Sequence, residues 1–176
     1  MYDSVKKIIA GYIIANTLKK KQNEPRSFKD LFKDSRSVFL LMPDDENDFK
    51  LSVEVFQELE KRGKAITAFT KDFRIGLLPQ KFHHNIMGYS PEDLTRVNLP
   101  SRLLREKLSG MKFDLVIDLN RPDNLFYSFA ANLVNARFRI GIKKNNSDKY
   151  YNLQVSDSKD NPEIFYKNFL NCLQMF

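Results

Sequence analysis

At 176 residues the chain is long enough for one full domain, or one domain with an appendage. Its 42% hydrophobic and 29% charged content excludes a disordered or fibrous protein. The net charge of +7 is concentrated, because residues 1–36 carry nine Lys/Arg against four Asp/Glu and the rest is close to neutral. That distribution argues against a fold-wide basic surface for nucleic acid and leaves a basic N-terminal arm.

Residues 4–21 read as a helix, with Val5, Ile8, Ile9, Tyr12 and Ile13 recurring on one stripe. Lys6, Lys7, Lys19, Lys20 and Lys21 fall mostly elsewhere on it. The apolar run 8–15 is far short of the roughly 20 residues needed to span a membrane. Lysines follow it where a small-residue cleavage site would stand, which argues against a cleaved signal peptide. Pro25 ends the helix, and residues 27–32 add a short helical turn.

Residues 37–42 (SVFLLM) are apolar on both faces, as a central parallel strand should be. An acidic loop follows, 43–48, and then a helix over 49–62 with Phe49, Val53, Phe56 and Leu59 inward and Gly63 as its stop. The second strand is 65–70 (AITAFT). Residues 73–78 are a short strand or an irregular connection, 85–89 a third strand, and 96–99 a short extended piece. A helix then runs from Pro100 to about Ser109 and closes at Gly110. Residues 113–119 form the fourth strand, 123–135 a helix and 137–142 the fifth strand. An extended edge over 150–155 and a final helix over 162–175 complete the chain.

This alternation predicts an α/β fold with one Rossmann-like, doubly wound parallel sheet of about five strands in the order 3-2-1-4-5. The expected organisation is a basic helical arm, 1–36, and a domain, 37–176, closed by a C-terminal helix. Fifteen phenylalanines and no tryptophan predict a core built on Phe.

In such sheets ligands bind beyond the carboxyl ends of the strands, where the strand order reverses. The loops after the first and fourth strands would line that crevice with Asp44, Asp45, Asp48, Asp118, Asn120 and Arg121. Paired carboxylates there suit a general base or a cation, and they equally suit helix capping. The first loop has no glycine, so neither a dinucleotide fingerprint nor a P-loop is present, and no cofactor is expected. Two adjacent histidines, His83 and His84, would point apart on a strand, and no metal site is expected. Cys172 is the sole cysteine; it reads as a packed thiol and fits a reducing compartment.

The run FDLVIDLNRPDNLFYSFAANLVNARFRIGIK resembles the N-terminal domain of glycosyltransferase family 9, the heptosyltransferase-like enzymes of GT-B architecture. The segments 113–119 and 135–142 match that family's (Y/F)DLVIDL strand and its RIG-containing strand. Residues 37–59 can be laid on its first strand, loop and helix without a gap. Asp48 then falls on the family's catalytic aspartate, the base toward the acceptor hydroxyl. The glycine before that aspartate is Asn47 here. The family's nucleotide-sugar donor binds chiefly to a second domain. The resemblance, over roughly residues 37–155, therefore implies at most an acceptor-binding half.

The leading expectation is a stand-alone, glycosyltransferase-like domain that acts as a non-catalytic binding or assembly module. Its contact would be the basic N-terminal helix, through Lys6, Lys7, Lys19, Lys20 and Lys21. The partner would be a protein, a second copy or an anionic membrane surface, and the location cytoplasmic or peripheral on the membrane's inner face. The alternatives are the acceptor half, with a saccharide acceptor and Asp48 as base, and the disfavoured nucleic-acid binding through the arm.

Overall fold

A computed structural model describes residues 2–18, 28–157 and 161–175; Lys19, Lys20 and Lys21 lie outside them. The strands are β1 (Ser37–Leu41), β2 (Ala65–Lys71), β3 (Ile86–Tyr89), β4 (Lys112–Asp118), β5 (Asn135–Ile142) and β6 (Leu153–Val155). All pair in parallel, in the order β3-β2-β1-β4-β5-β6. The expected 3-2-1-4-5 order holds, and β6 extends it by one strand.

Alternate residues of each strand feed two cores, as a period of two requires. On one face Val38, Leu40, Leu115 and Ile117 meet α2 (Phe28–Asp34), α3 (Glu46–Lys61) and α6 (Pro162–Gln174). Phe32, Phe49, Phe56, Phe165 and Phe169 fill that layer, each at most 2% exposed. On the other face Phe39, Leu41, Phe69 and Val116 meet α4 (Arg102–Ser109) and α5 (Leu125–Leu133) through Leu104, Leu108, Phe126 and Ala130. The phenylalanine-rich core is therefore real.

Several boundaries differ from the sequence expectation, each for a local reason. Helix α3 begins at Glu46 rather than at the first apolar residue, because the Asp45 carboxylate accepts from the Asp48 N–H and caps it. For 73–78 the irregular connection holds rather than the strand, since 72–77 and 80–85 are 3-10 turns. The piece expected to be extended, 96–99, is a tight turn: Asn98 takes φ +57°, and the Thr95 N–H donates to the Leu99 carbonyl.

The N-terminal helix α1 (Tyr2–Thr17) packs on α5 and residues 97–99. Ala10 and Ile14 make that contact, both 2% exposed. Of the apolar stripe legible in the sequence, Ile13 joins that contact, while Val5, Ile8, Ile9 and Tyr12 face the other way and are exposed.

Candidate functional site

The loops after β1 and β4 meet where the strand order reverses, and Asn120 fastens them together. Its Oδ1 accepts from the Asp44 N–H at 2.8 Å, while its Nδ2 donates to the Met42 carbonyl at 3.3 Å and to Asp118 Oδ1 at 2.7 Å. The Leu119 N–H also donates to the Leu41 carbonyl at 3.1 Å. The expected crevice residues are thus brought together, but they bond to one another.

Each candidate acid has an internal partner. Asp44 pairs with Lys71, from the end of β2. Asp45 is spent on capping α3. Asp48, in the first turn of α3 and only 3% exposed, meets Arg121 Nη1 at 3.2 Å. Burial raises the Asp48 carboxyl above its ordinary range, and the opposing pull of Arg121 does not cancel this. Arg121 bridges onward, its Nε 3.2 Å from Asp157 and its guanidinium carbon 5.7 Å from the centre of the Phe165 ring.

Asp118 is fully buried. Its Oδ1 accepts from both nitrogens of Asn120, and its Oδ2 accepts from the Tyr151 hydroxyl. Lys144 Nζ lies 3.7 Å from that oxygen, buried and without a hydrogen bond. Since Tyr151 gives its proton to Asp118, the Ser128 hydroxyl, 3.2 Å away, donates to Tyr151. Burial, reinforced by the neighbouring Asp118 charge, pushes the Tyr151 phenol well above its usual value, so it stays a donor at neutral pH.

Three features lie outside the expected crevice residues. Arg74, buried, donates to the carbonyls of Pro43 and Asp45 at 3.1 and 3.2 Å and pins the acidic loop from beneath. Arg139 is buried as well. It donates to the carbonyls of Ala131, Val134 and Ala136, closing the C-terminal end of α5. Burial lowers its guanidinium to about 10, still cationic at neutral pH. The third feature is a groove of about 1190 Å³ between α1, α4, α5 and the residues after β5, lined by Lys7, Arg105, Asp123, Asn132 and Tyr150. No sequence pattern marks these roles, because each depends on an element distant in the chain.

Among the described residues, no group of three or more His, Cys, Asp or Glu is arranged to hold a metal ion. His83 is tied to the Leu78 carbonyl at 2.8 Å. Cys172 is half-buried on α6, and burial raises its thiol, which disfavours the thiolate. Among the described residues no helix is long and apolar enough to cross a membrane.

The fold and crevice define a Rossmann-like parallel α/β domain whose switch-point loops are cross-linked by ion pairs. The chain belongs to DUF6913, a family of unknown function, whose model matches residues 6–176. No curated protein and no solved structure matches it.

Proposed function

We propose that this chain is a glycosyltransferase-like domain that serves as a binding or assembly module without catalysis of its own. The burial and pairing of Asp48 and Asp118 is what carries this reading. A general base needs a free lone pair within reach of the hydroxyl it deprotonates. Asp48 is 3% exposed and faces a guanidinium, and Asp118 is fully buried among its partners. The contact surface in this reading is α1, and the location is cytoplasmic or peripheral on a membrane's inner face.

A second reading keeps the resemblance to glycosyltransferase family 9 as functional. In it the crevice of Asp44, Asp45, Asp118, Asn120 and Arg121 takes a saccharide acceptor, Asp48 is the base, and a partner chain supplies the donor site. One observation favours it: burial raises the Asp48 carboxyl, as a base working near neutral pH requires.

Thermal unfolding against a panel of nucleotide sugars, nucleoside diphosphates and lipid-A-type saccharides, with and without divalent metal, separates the two. Specific binding raises the melting temperature in a concentration-dependent way. The module reading expects a flat panel. A saturating shift from one class, lost in Asp48→Asn, would overturn it in favour of the transferase half.

A further inference from the structure

The groove between α1, α4, α5 and the residues after β5 has a volume of about 1190 Å³, enough for a small organic molecule. None of the crevice residues Asp44, Asp45, Asp48, Asp118, Asn120 and Arg121 lines it, so it is a separate place. Most polar groups of its lining are already engaged. Asn132 Nδ2 donates to the Ser128 and Tyr150 carbonyls, Arg139 donates to three carbonyls, and Arg102 pairs with Glu106 at 2.8 Å. Arg105 differs. Its Nε is shut off from solvent without a hydrogen bond, and among the described residues its guanidinium has no ion pair. A buried donor left unmade costs free energy. Gly11, in the interior of α1, also lines the groove, and a Cβ there would meet nothing within 4 Å. Glycine weakens a helix interior, and here its missing side chain leaves the groove open.

We propose that this groove binds a small organic monocarboxylate, with its carboxylate on Arg105 and its apolar body against Leu18, Leu125 and Leu133. The site goes beyond the module reading and does not depend on it. A guanidinium offers parallel N–H bonds that match the two oxygens of a carboxylate. Charge selects a monoanion. Among the lining residues, exposed Lys7 and Lys149 are matched in number by exposed Asp123 and Asp148. The charge of Arg139 is partly offset by the C-terminal carbonyls of α5 that it serves. The charge of Arg105 is then left over, and one negative charge answers it. A phosphate monoester, close to a dianion at neutral pH, brings a second charge toward Asp123 and Asp148. Leu18, Leu125 and Leu133 are half-buried, so part of their surface stays open to a ligand. They suit a hydrocarbon or aromatic body rather than a sugar.

Titration of the full chain with phenylbutyrate, read by the melting temperature, tests this. A saturable rise is expected. The neutral alcohol phenylbutanol, and phenyl phosphate, should each bind at least about tenfold more weakly. Arg105→Met should weaken phenylbutyrate binding at least about tenfold. Lys107→Met, an equal loss of charge on the same helix but outside the groove, should bind like the parent. Gly11→Phe should block binding by filling the groove, and its own melting temperature should not fall, because the new side chain enters open space. That variant keeps Arg105 and so reads the site even where Arg105→Met fails to fold. No saturable rise, an equal rise from the alcohol, or parent-like binding by Gly11→Phe overturns the proposal. Tighter binding of phenyl phosphate overturns the carboxylate assignment. A rise lost in Asp48→Asn but kept in Gly11→Phe belongs to the crevice and equally overturns the groove.

Discussion

Replacing Arg121 by methionine tests whether charge, rather than packing, holds the crevice shut. The guanidinium serves Asp48, whose side chain is 4% exposed, and Asp157, at 15%. Removing one partner of a buried pair costs about 3–5 kcal/mol, because the other charge stays buried alone. Asp157 is nearer the rim and adds less than about 1 kcal/mol. Asp48 can escape by taking up a proton, so the low end applies, about 3 kcal/mol at neutral pH. For a chain of this length that lowers the melting temperature by about 6–12 °C. The pH dependence is the sharper signature. The folded-state pKa of Asp48 is already raised, and loss of Arg121 raises it further. A carboxyl raised on folding costs nothing below its unfolded pKa, and its penalty grows as pH climbs through the folded value. The deficit of Arg121→Met should therefore be full at neutral pH and narrow toward the ordinary carboxylate value of 3.8. Urea unfolding followed by circular dichroism suits a chain without tryptophan. Adding Asp48→Asn to the variant should restore most of the loss at neutral pH. A deficit that is flat with pH and not restored would mean that Arg121 acts by stacking on Phe165, and the electrostatic reasoning would be wrong.

Arg139→Leu should cost about 3 kcal/mol, since it strips the donors from the carbonyls that end α5; the urea midpoint should fall with an unchanged slope. Gly141→Ala should destabilise by about 1–3 kcal/mol, because a Cβ there would lie 2.5 Å from the Tyr151 ring, whose hydroxyl is held by Asp118. Gly76→Ala, where a Cβ meets nothing within 4 Å, is the control and should leave the melting temperature nearly unchanged. Asn120→Ala removes the clasp between the two loops and should cost about 2 kcal/mol, with faster amide exchange at Asp44, whose N–H it accepts.

The strands were legible because central parallel strands are buried on both faces and read as unbroken apolar runs. Val38 through Leu41 are all 0% exposed, and Leu115 through Ile117 are at most 2%. Strand order followed from crossover handedness and the βα alternation. Strand β6 was harder: three half-buried residues carry too short a pattern to fix its place. The start of α3 was placed late because the apolar period begins at Phe49, whereas the cap lies four residues earlier. The location of the crevice was legible and its wiring was not. Asp157 lies 36 residues beyond Arg121, and Lys71 and Lys144 come from the ends of β2 and β5. For α1 the stripe was visible, but the docking side was set by the close approach that a small residue such as Ala10 allows.

The crevice and α1 depart from ordinary surface chemistry in opposite directions. Buried ion pairs rarely add net stability, because desolvation offsets their attraction. A crevice built from them needs another justification, and geometry supplies one. Arg121, Asn120 and Arg74 fix the segments around 43–48, 118–121 and 157 in a single arrangement. The carboxylates held there, Asp48 and Asp118, are at most 3% exposed. A working acceptor site would have to give up the Asp48–Arg121 contact on binding, against the cost estimated above, and the acceptor would have to supply at least that much. On α1 the balance runs the other way: apolar side chains face water with no internal partner, so an external surface that covers them gains free energy at once. Loops tied to one another, together with a helix face that shows water its apolar side chains, suit a docking module, and an acceptor-binding enzyme would have to undo those ties.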